Sequence, residues 1–306
     1  MQIITDITKY DRIPCAATIG SFDGVHLGHL AMLGELRSAA AAKGLPLMVV
    51  TFATHPRRLF DKECAPFLLT PLHEKVKMLE TAGVDICILL NFDRAMAALS
   101  AARFMADVLV ERLGVQLLAV GYDHHFGKPV PGEGLAEYIA MGRECGIDVF
   151  GTEPFVVDGT AVSSSAVRRA LSAGDAALAA RLLGRCYSLA GTVVHGAGIG
   201  RVLGFPTANI SPADSEQMLP LDGVYETDVT VDGNHFKGVM NIGMKPTVNG
   251  KERTNEVHII GFGGDIYGKE IAVQFVRRLR GEQVFESVDA LRLQIEQDIA
   301  MVKNGI

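Results

Sequence analysis

The spacing of apolar residues changes near residue 185, and the change predicts two domains of different architecture. Before that point, short continuous apolar runs alternate with longer stretches in which apolar positions recur every three to four residues. The first pattern suits a strand buried on both faces, the second an amphipathic helix. Residues 16–20, 47–52, 86–90, 115–121 and 147–150 are the predicted strands, and 27–43, 71–82, 101–113 and 134–145 the predicted helices. The second helix carries Thr70 as N-cap, Pro71 at its first position, and Leu72, Val76 and Leu79 along one face. Alternation of strand and helix predicts a parallel, doubly wound sheet. Residues 164–183 read as two short helices, the second ending near Gly184.

From 187 to 279 the chain is rich in glycine and in short β-prone runs, at 187–194, 224–231, 236–242, 256–262 and 271–279. Asp232-Gly233-Asn234 between two of them is a hairpin signal. The last pattern is helical, about 287–303, with Ser287 as cap and Val288, Leu291, Ile295, Ile299 and Val302 in a stripe. The second half is therefore expected to be a small, mostly antiparallel β-domain, a barrel, with a C-terminal helix. The expected division is 1–184 and 185–306.

A length of 306 residues with 48% apolar content supports a core in each domain. The formal charge of −6 comes without a long Lys/Arg run, which argues against a nucleic-acid partner and for a small-molecule one. Cys15, Cys64, Cys87, Cys145 and Cys186 show no CxxC spacing and read as reduced core thiols. No apolar run reaches the roughly 18 to 20 residues of a membrane span, and MQIITDITKYDR lacks the regions of a signal peptide. A cytoplasmic location away from membranes is expected.

The segment GSFDGVHLGH, residues 20–29, joins a predicted strand to a predicted helix through a Gly-bounded turn. Such a turn presents backbone N–H groups and the positive helix end to an anion. His26 and His29, three apart, share one face of the first helical turn, with Gly20, Phe22, Asp23 and Gly24 leading into them. Adenylyl transfer asks mainly that a triphosphate be held in line and its developing charge neutralised, work that imidazole donors at a helix start suit. Three other segments fall at strand ends or helix starts of the same half: His55 and Pro56 in TFATHP, Asp123 in GYDHHFGK, and Ser163, Ser164 and Arg168 in VSSSAVRRAL. Singly these read more readily as a turn, a solvated loop and an N-cap; together they suggest a triphosphate cradle.

A second constellation opens the β-domain. In HGAGIGRVLGFPTANI, residues 195–210, Gly196, Gly198 and Gly200 precede Arg201, then Gly204, Thr207 and Asn209. Glycines that let backbone approach phosphate, followed by hydroxyl and amide oxygens, suit a magnesium nucleotide, with oxygen donors favouring Mg²⁺ over zinc. Glu256, in a predicted strand before His258, could take the proton of a hydroxyl attacking ATP, although composition alone favours an exposed strand glutamate paired with a neighbouring Lys or Arg.

With both constellations in view, the chain resembles the bacterial bifunctional riboflavin kinase/FMN adenylyltransferase, or FAD synthetase, family over nearly its whole length. GSFDGVHLGH, the FGK of GYDHHFGK and VSSSAVRRAL resemble its adenylyltransferase motifs. GRVLGFPTAN, DGVY at 222–225, NIGMKPT at 241–247, EVH at 256–258, DIYG at 265–268 and LRGEQVF at 279–285 resemble its kinase motifs. The resemblance implies a Rossmann-like nucleotidyltransferase domain before a β-barrel kinase domain. It implies two reactions: riboflavin and ATP give FMN and ADP, then FMN and ATP give FAD and pyrophosphate, with flavins as substrate and product. By the same resemblance His26 and His29 stabilise phosphates in adenylyl transfer, and Ser163, Ser164 and Arg168 hold the triphosphate. Thr207 and Asn209 serve the magnesium nucleotide, Glu256 is the kinase base, and His55, Pro56 and Arg280 contact flavin. Thr54, His124, Ala166 and Lys245 depart from the commonest family pattern.

Overall fold

The computed structural model describes every residue except 61–66, 123–125, 129, 197, 248–249 and 306, and describes backbone alone at 60, 199, 245–247 and 250–252. The chain divides into two compact units, Met1–Ala65 with Thr70–Ser163, and Pro66–Leu69 with Ser164–Ile306.

The first unit is built on six parallel strands: β1 (Gln2–Ile4), β2 (Cys15–Ile19), β3 (Leu47–Phe52), β4 (Ile86–Leu90), β5 (Val115–Val120) and β6 (Asp148–Gly151), in the order β1-β4-β3-β2-β5-β6. A two-stranded ribbon, β7 (Val156–Val157) and β8 (Thr160–Ala161), follows. Its helices are α1 (Leu27–Ala42), α2 (Arg57–Phe60), α3 (Leu72–Thr81), α4 (Arg94–Ala97), α5 (Ala101–Arg103) and α6 (Leu135–Cys145). Successive strand residues point to opposite faces, so Ala16, Val49 and Cys87 pack with Leu33, Leu36 and Leu79 of α1 and α3. Ala17, Met48 and Ile88 pack on the other face with Phe104, Leu109 and Tyr138. The strand order reverses direction between β2 and β5, and in an open α/β sheet ligands gather beyond the carboxyl ends at that point. Both GSFDGVHLGH and GYDHHFGK leave the sheet there.

Four details differ from the sequence expectation. The helix expected over 101–113 is α-helical only through α5, and Phe104–Val110 winds as a π-helix, with Glu111 N–H donating to the Ala106 carbonyl at 3.0 Å. Bonding across five residues keeps Phe104 and Met105 in line with Val108 and Leu109, all buried. Second, Pro71 rather than Thr70 stands at the N-cap position of α3, which has no side-chain cap, and the Thr70 N–H donates to the Asp23 carboxylate at 3.1 Å. Third, β1 was not expected, since three residues carry no readable period. Fourth, α2 and α4 span only four residues each.

The second unit begins with α7 (Ser164–Ser172) and α8 (Ala176–Leu183), the latter ended by Gly184 in a left-handed conformation. Then come β9 (Tyr187–Val194), α9 (Ile199–Val202), β10 (Ala208–Pro212), β11 (Gly223–Val231), β12 (Asn234–Thr247), β13 (Gly250–Ile259), β14 (Glu270–Arg280) and α10 (Val288–Asn304). The six strands close an antiparallel barrel in the order β10-β13-β12-β11-β14-β9. Tyr225, Met240, Val257 and Phe275 are among its fully buried residues. Asp232 and Gly233 both take positive φ, +48° and +78°, as the expected tight hairpin requires. β12 and β13 pair onward to Thr247 and Gly250, beyond the expected strands, where the polar sequence KPTVNGKE offers no alternation to read.

Ser287 caps α10 through the Ala290 N–H at 3.1 Å. Ile299 and Val302 of the expected stripe are buried, but Val288 is exposed. The helix is further tied to the barrel by Asp298, 1% exposed, whose carboxylate takes Arg280 Nε at 3.1 Å on both oxygens and Nη2 at 2.8 Å. Removing one partner of a buried pair strands the other charge, so Asp298→Ala is expected to destabilise this unit by about 3–5 kcal/mol, read by urea unfolding.

Candidate active sites

The turn after β2 is held in an unusual backbone. Phe22, Gly24 and Val25 take φ of +49°, +86° and +37°, and a β-branched valine in that region is uncommon. Phe22 and Val25 are almost fully buried in the core with Leu33 and Leu36, which offsets the local strain. His26 is the N-cap of α1, its Nδ1 accepting the His29 N–H at 3.2 Å. That bond requires an unprotonated Nδ1 and leaves the proton of a neutral ring on Nε2. The two imidazoles stack, centroids 3.6 Å apart and 13° from parallel, and Phe22 packs on His29 at 4.8 Å. Gly28 permits the arrangement: a Cβ there would come within 3.1 Å of the Val162 carbonyl and 3.2 Å of His26 Nδ1.

Three of the residues expected around nucleotide are engaged within the protein. Gly20 N–H donates to the Val50 carbonyl at 3.0 Å, the Phe22 ring lies in the core, and Asp23, 2% exposed, accepts the Thr70 N–H. Beside the turn, a cavity of about 270 Å³ is lined by Ser21, Phe52, His55, Pro56, Phe92, Phe104 and Phe126, among others. His55 and Pro56 thus share one apolar, aromatic-walled pocket, of the kind that takes a flat ligand. Ser163 ends the first unit, while Ser164 and Arg168 belong to the second. Arg168 donates Nε to the Phe67 carbonyl at 2.9 Å and sits 5.7 Å over the Phe67 ring. Asp123 and His124 lie outside the described residues.

In the barrel unit, strand register arranges the chemistry. Asn209 pairs with Glu256 across β10 and β13, and Glu256 with Asn241 across β13 and β12, so the three side chains leave one face in a row. Thr207 Oγ1 stands 3.4 Å from Glu256 Oε2. The glycines ahead of them allow close approach: a Cβ at Gly196 would collide with the Asn209 amide, and one at Gly200 would meet the Phe205 carbonyl and lie 3.0 Å from Thr207 Oγ1. Gly198 and Gly204 turn the chain at φ +71° and +89°.

Two cavities flank this row. One, about 430 Å³, is lined by Arg201, Pro206, Thr207, Phe262, Asp265 and Tyr267, among others. The other, about 340 Å³, lies between the barrel and α10 and includes Phe205, Thr207, Asn241, Glu256, Arg280 and Phe285. Thr207 lines both. Arg280, expected at flavin, does reach the second cavity, but its guanidinium is the one held by Asp298.

Residues 8–166 match the model of the FAD synthetase family, and residues 183–306 that of riboflavin kinase. The bifunctional riboflavin kinase/FMN adenylyltransferase of Escherichia coli K12 is 42% identical over 302 residues, covering 97% of this chain and 96% of the relative. The chain belongs to the bifunctional riboflavin kinase/FMN adenylyltransferase family. The Bacillus subtilis member is 34% identical, with 95% and 92% of the two chains covered. A solved structure described as a macrolide-efflux protein of Streptococcus pneumoniae is similar in fold, with TM-score 0.88, 28% identity and 99% and 98% coverage. Among the described residues no helix is long and apolar enough to cross a membrane.

The chain is accordingly an ATP-dependent transferase with two activities, riboflavin kinase and FMN adenylyltransferase, whose flavins are substrates and products. The sequence patterns assign no role to Phe52, Phe92 and Phe104 of the aromatic pocket, nor to Asn241, although NIGMKPT begins with it.

Proposed function

We propose that riboflavin phosphorylation is carried out at the two barrel cavities and adenylyl transfer by residues 1–184, with the residue roles expected from the sequence. The observation carrying the kinase assignment is that Thr207 lines both barrel cavities, 3.4 Å from the Glu256 carboxylate. A phosphoryl group must pass between nucleotide and flavin, and a residue shared by two cavities marks where they meet. ATP occupies the cavity with Arg201 and Tyr267; riboflavin occupies the more apolar one beneath α10. Glu256 takes the proton of the riboflavin hydroxyl as its oxygen attacks the γ-phosphorus, the P–O bond to ADP breaking.

Mg²⁺ fits the donor set. Thr207 and Asn209 offer neutral oxygens beside a carboxylate, and among the described residues no cluster of three or more His, Cys, Asp or Glu side chains competes as a transition-metal site. A hard cation that keeps waters and binds phosphate oxygens needs no more from the protein. When bound, the ion neutralises charge on the transferring phosphates.

In adenylyl transfer His26 and His29 stabilise the phosphates as the FMN phosphate attacks the α-phosphorus of ATP and the bond to the departing pyrophosphate breaks. His55 and Pro56 wall the flavin pocket. Ser163, Ser164 and Arg168 hold triphosphate, with Asp123 assigned from sequence alone. The boundary proposed for the two catalytic domains remains 184/185; the riboflavin kinase match beginning at 183 and the helix stop at Gly184 support it. The use of ATP in both steps supports a cytoplasmic setting.

Chromatography of flavins over time tests this reading. Metal-stripped protein given riboflavin and ATP is expected to form no FMN, and added Mg²⁺ should restore FMN first and FAD after it. FMN formation at full rate without divalent metal contradicts the magnesium assignment.

A further inference from the structure

Lys75 is left unused by the assignments above, yet it is the lysine most fully withdrawn from water among those whose burial is described, at 8% exposure. Its ammonium donates to the Ser21 carbonyl at 3.1 Å, the Thr51 hydroxyl at 3.2 Å and the Phe52 carbonyl at 3.3 Å. Three donors meet three acceptors. These acceptors stand at the carboxyl ends of β2 and β3, where the sheet gathers its ligands. Burial pulls the Lys75 pKa below the ordinary lysine value, and the Asp23 carboxylate pulls it back up. An apolar side chain at 75 would pack beside Leu72, Val76 and Leu79 without any desolvation cost, so packing does not explain a lysine there.

What the lysine does hold is one peptide plane. The Ser21 carbonyl also accepts the Thr51 hydroxyl at 3.1 Å, so it is fixed from two sides. Because the peptide is planar, pinning that oxygen fixes the direction of the Phe22 N–H and the point from which the chain enters its left-handed stretch. Asp23, one residue further, is anchored by the Thr70 N–H just ahead of the same helix. The strained turn is therefore gripped twice, by Lys75 of α3 and by Thr70 just ahead of that helix.

We propose that Lys75 is a positioning residue for adenylyl transfer, holding the Ser21 carbonyl and with it the turn that presents His26 and His29 to the phosphates. The proposal rests on the assignment of that turn to the transfer site, given above.

Full-length Lys75→Met and Lys75→Gln proteins test it, with FAD formation from FMN and FMN formation from riboflavin measured on the same preparations. Lys75→Met is expected to lose about 100-fold in the kcat of FAD formation, with KM for FMN changed less than threefold and kinase activity within twofold of the unmodified protein. Lys75→Gln keeps a donor amide without the charge and should lose about tenfold; it carries the test if the methionine variant does not fold. FAD formation within threefold of normal in either variant overturns the proposal. So does a loss confined to KM for FMN, which would make Lys75 part of the pocket wall. His29→Ala run in parallel separates the two ideas: activity surviving that change removes the site assignment, whereas activity lost there but kept in Lys75→Met removes only the lysine's role.

Discussion

Glu256→Gln is expected to lower riboflavin phosphorylation by roughly 10²–10⁴-fold, the range general-base removal typically shows, while FAD formation from supplied FMN stays within twofold. Glutamine keeps the length and planarity of the side chain and can still meet the Thr207 hydroxyl, which stands 3.4 Å from the carboxylate in the unmodified protein. The strand pairs Asn209–Glu256 and Glu256–Asn241 are made by backbone and are untouched by the change. What is lost is the ability to accept the hydroxyl proton. The effect should therefore fall on kcat, with KM for riboflavin nearly unchanged, since the apolar walls Phe205, Phe285 and Val239 remain. A kinase rate within threefold of normal would return Glu256 to the role of an ordinary strand glutamate. Loss of both activities would contradict separate sites.

How far the sequence reveals such a site depends on what kind of force builds each part. Buried parallel strands such as β3 and β4 are legible because every residue from 47 to 50 and 86 to 90 belongs to a core, and a continuous apolar run records that directly. The barrel is legible through alternation where a strand has one wet face, as in β9, and stops being so where β12 and β13 pair through polar residues. Motif chemistry gave roles to Thr207, Asn209 and Glu256 but none to Asn241, the first residue of NIGMKPT, because only cross-strand register brings residues 209, 256 and 241 into one row. Nor does any local pattern show that Arg280 is clamped by Asp298, 18 residues on. The left-handed φ of Phe22 and Val25 is a tertiary effect, imposed by burial of residues whose own preferences oppose it. Lys75 shows the same limit from the other side: its helical position was readable, but its three oxygen partners come from two strand ends distant in sequence.

His29→Ala is expected to cut FAD formation from FMN by about 10²–10³-fold, the scale on which single donors to a developing oxyanion act, and to leave the kinase within twofold. Of the two histidines this is the cleaner test. His26 caps α1, so its removal mixes a catalytic loss with a cap loss of about 0.5–2 kcal/mol. In His29→Ala the bond that His26 Nδ1 accepts survives, because its donor is the backbone N–H of residue 29. Only the ring goes, and with it the 3.6 Å stack on His26 and the contact with Phe22. Phe22 is held independently by the core around Leu33 and Leu36, so the turn should keep its shape. Pyrophosphate release measured with saturating FMN isolates the step: a transition-state role lowers kcat, whereas mere support of the flavin pocket would raise KM for FMN. A release rate within threefold of the unmodified protein would leave His26 alone to carry the phosphate charge, and the paired geometry of the turn would then need another purpose.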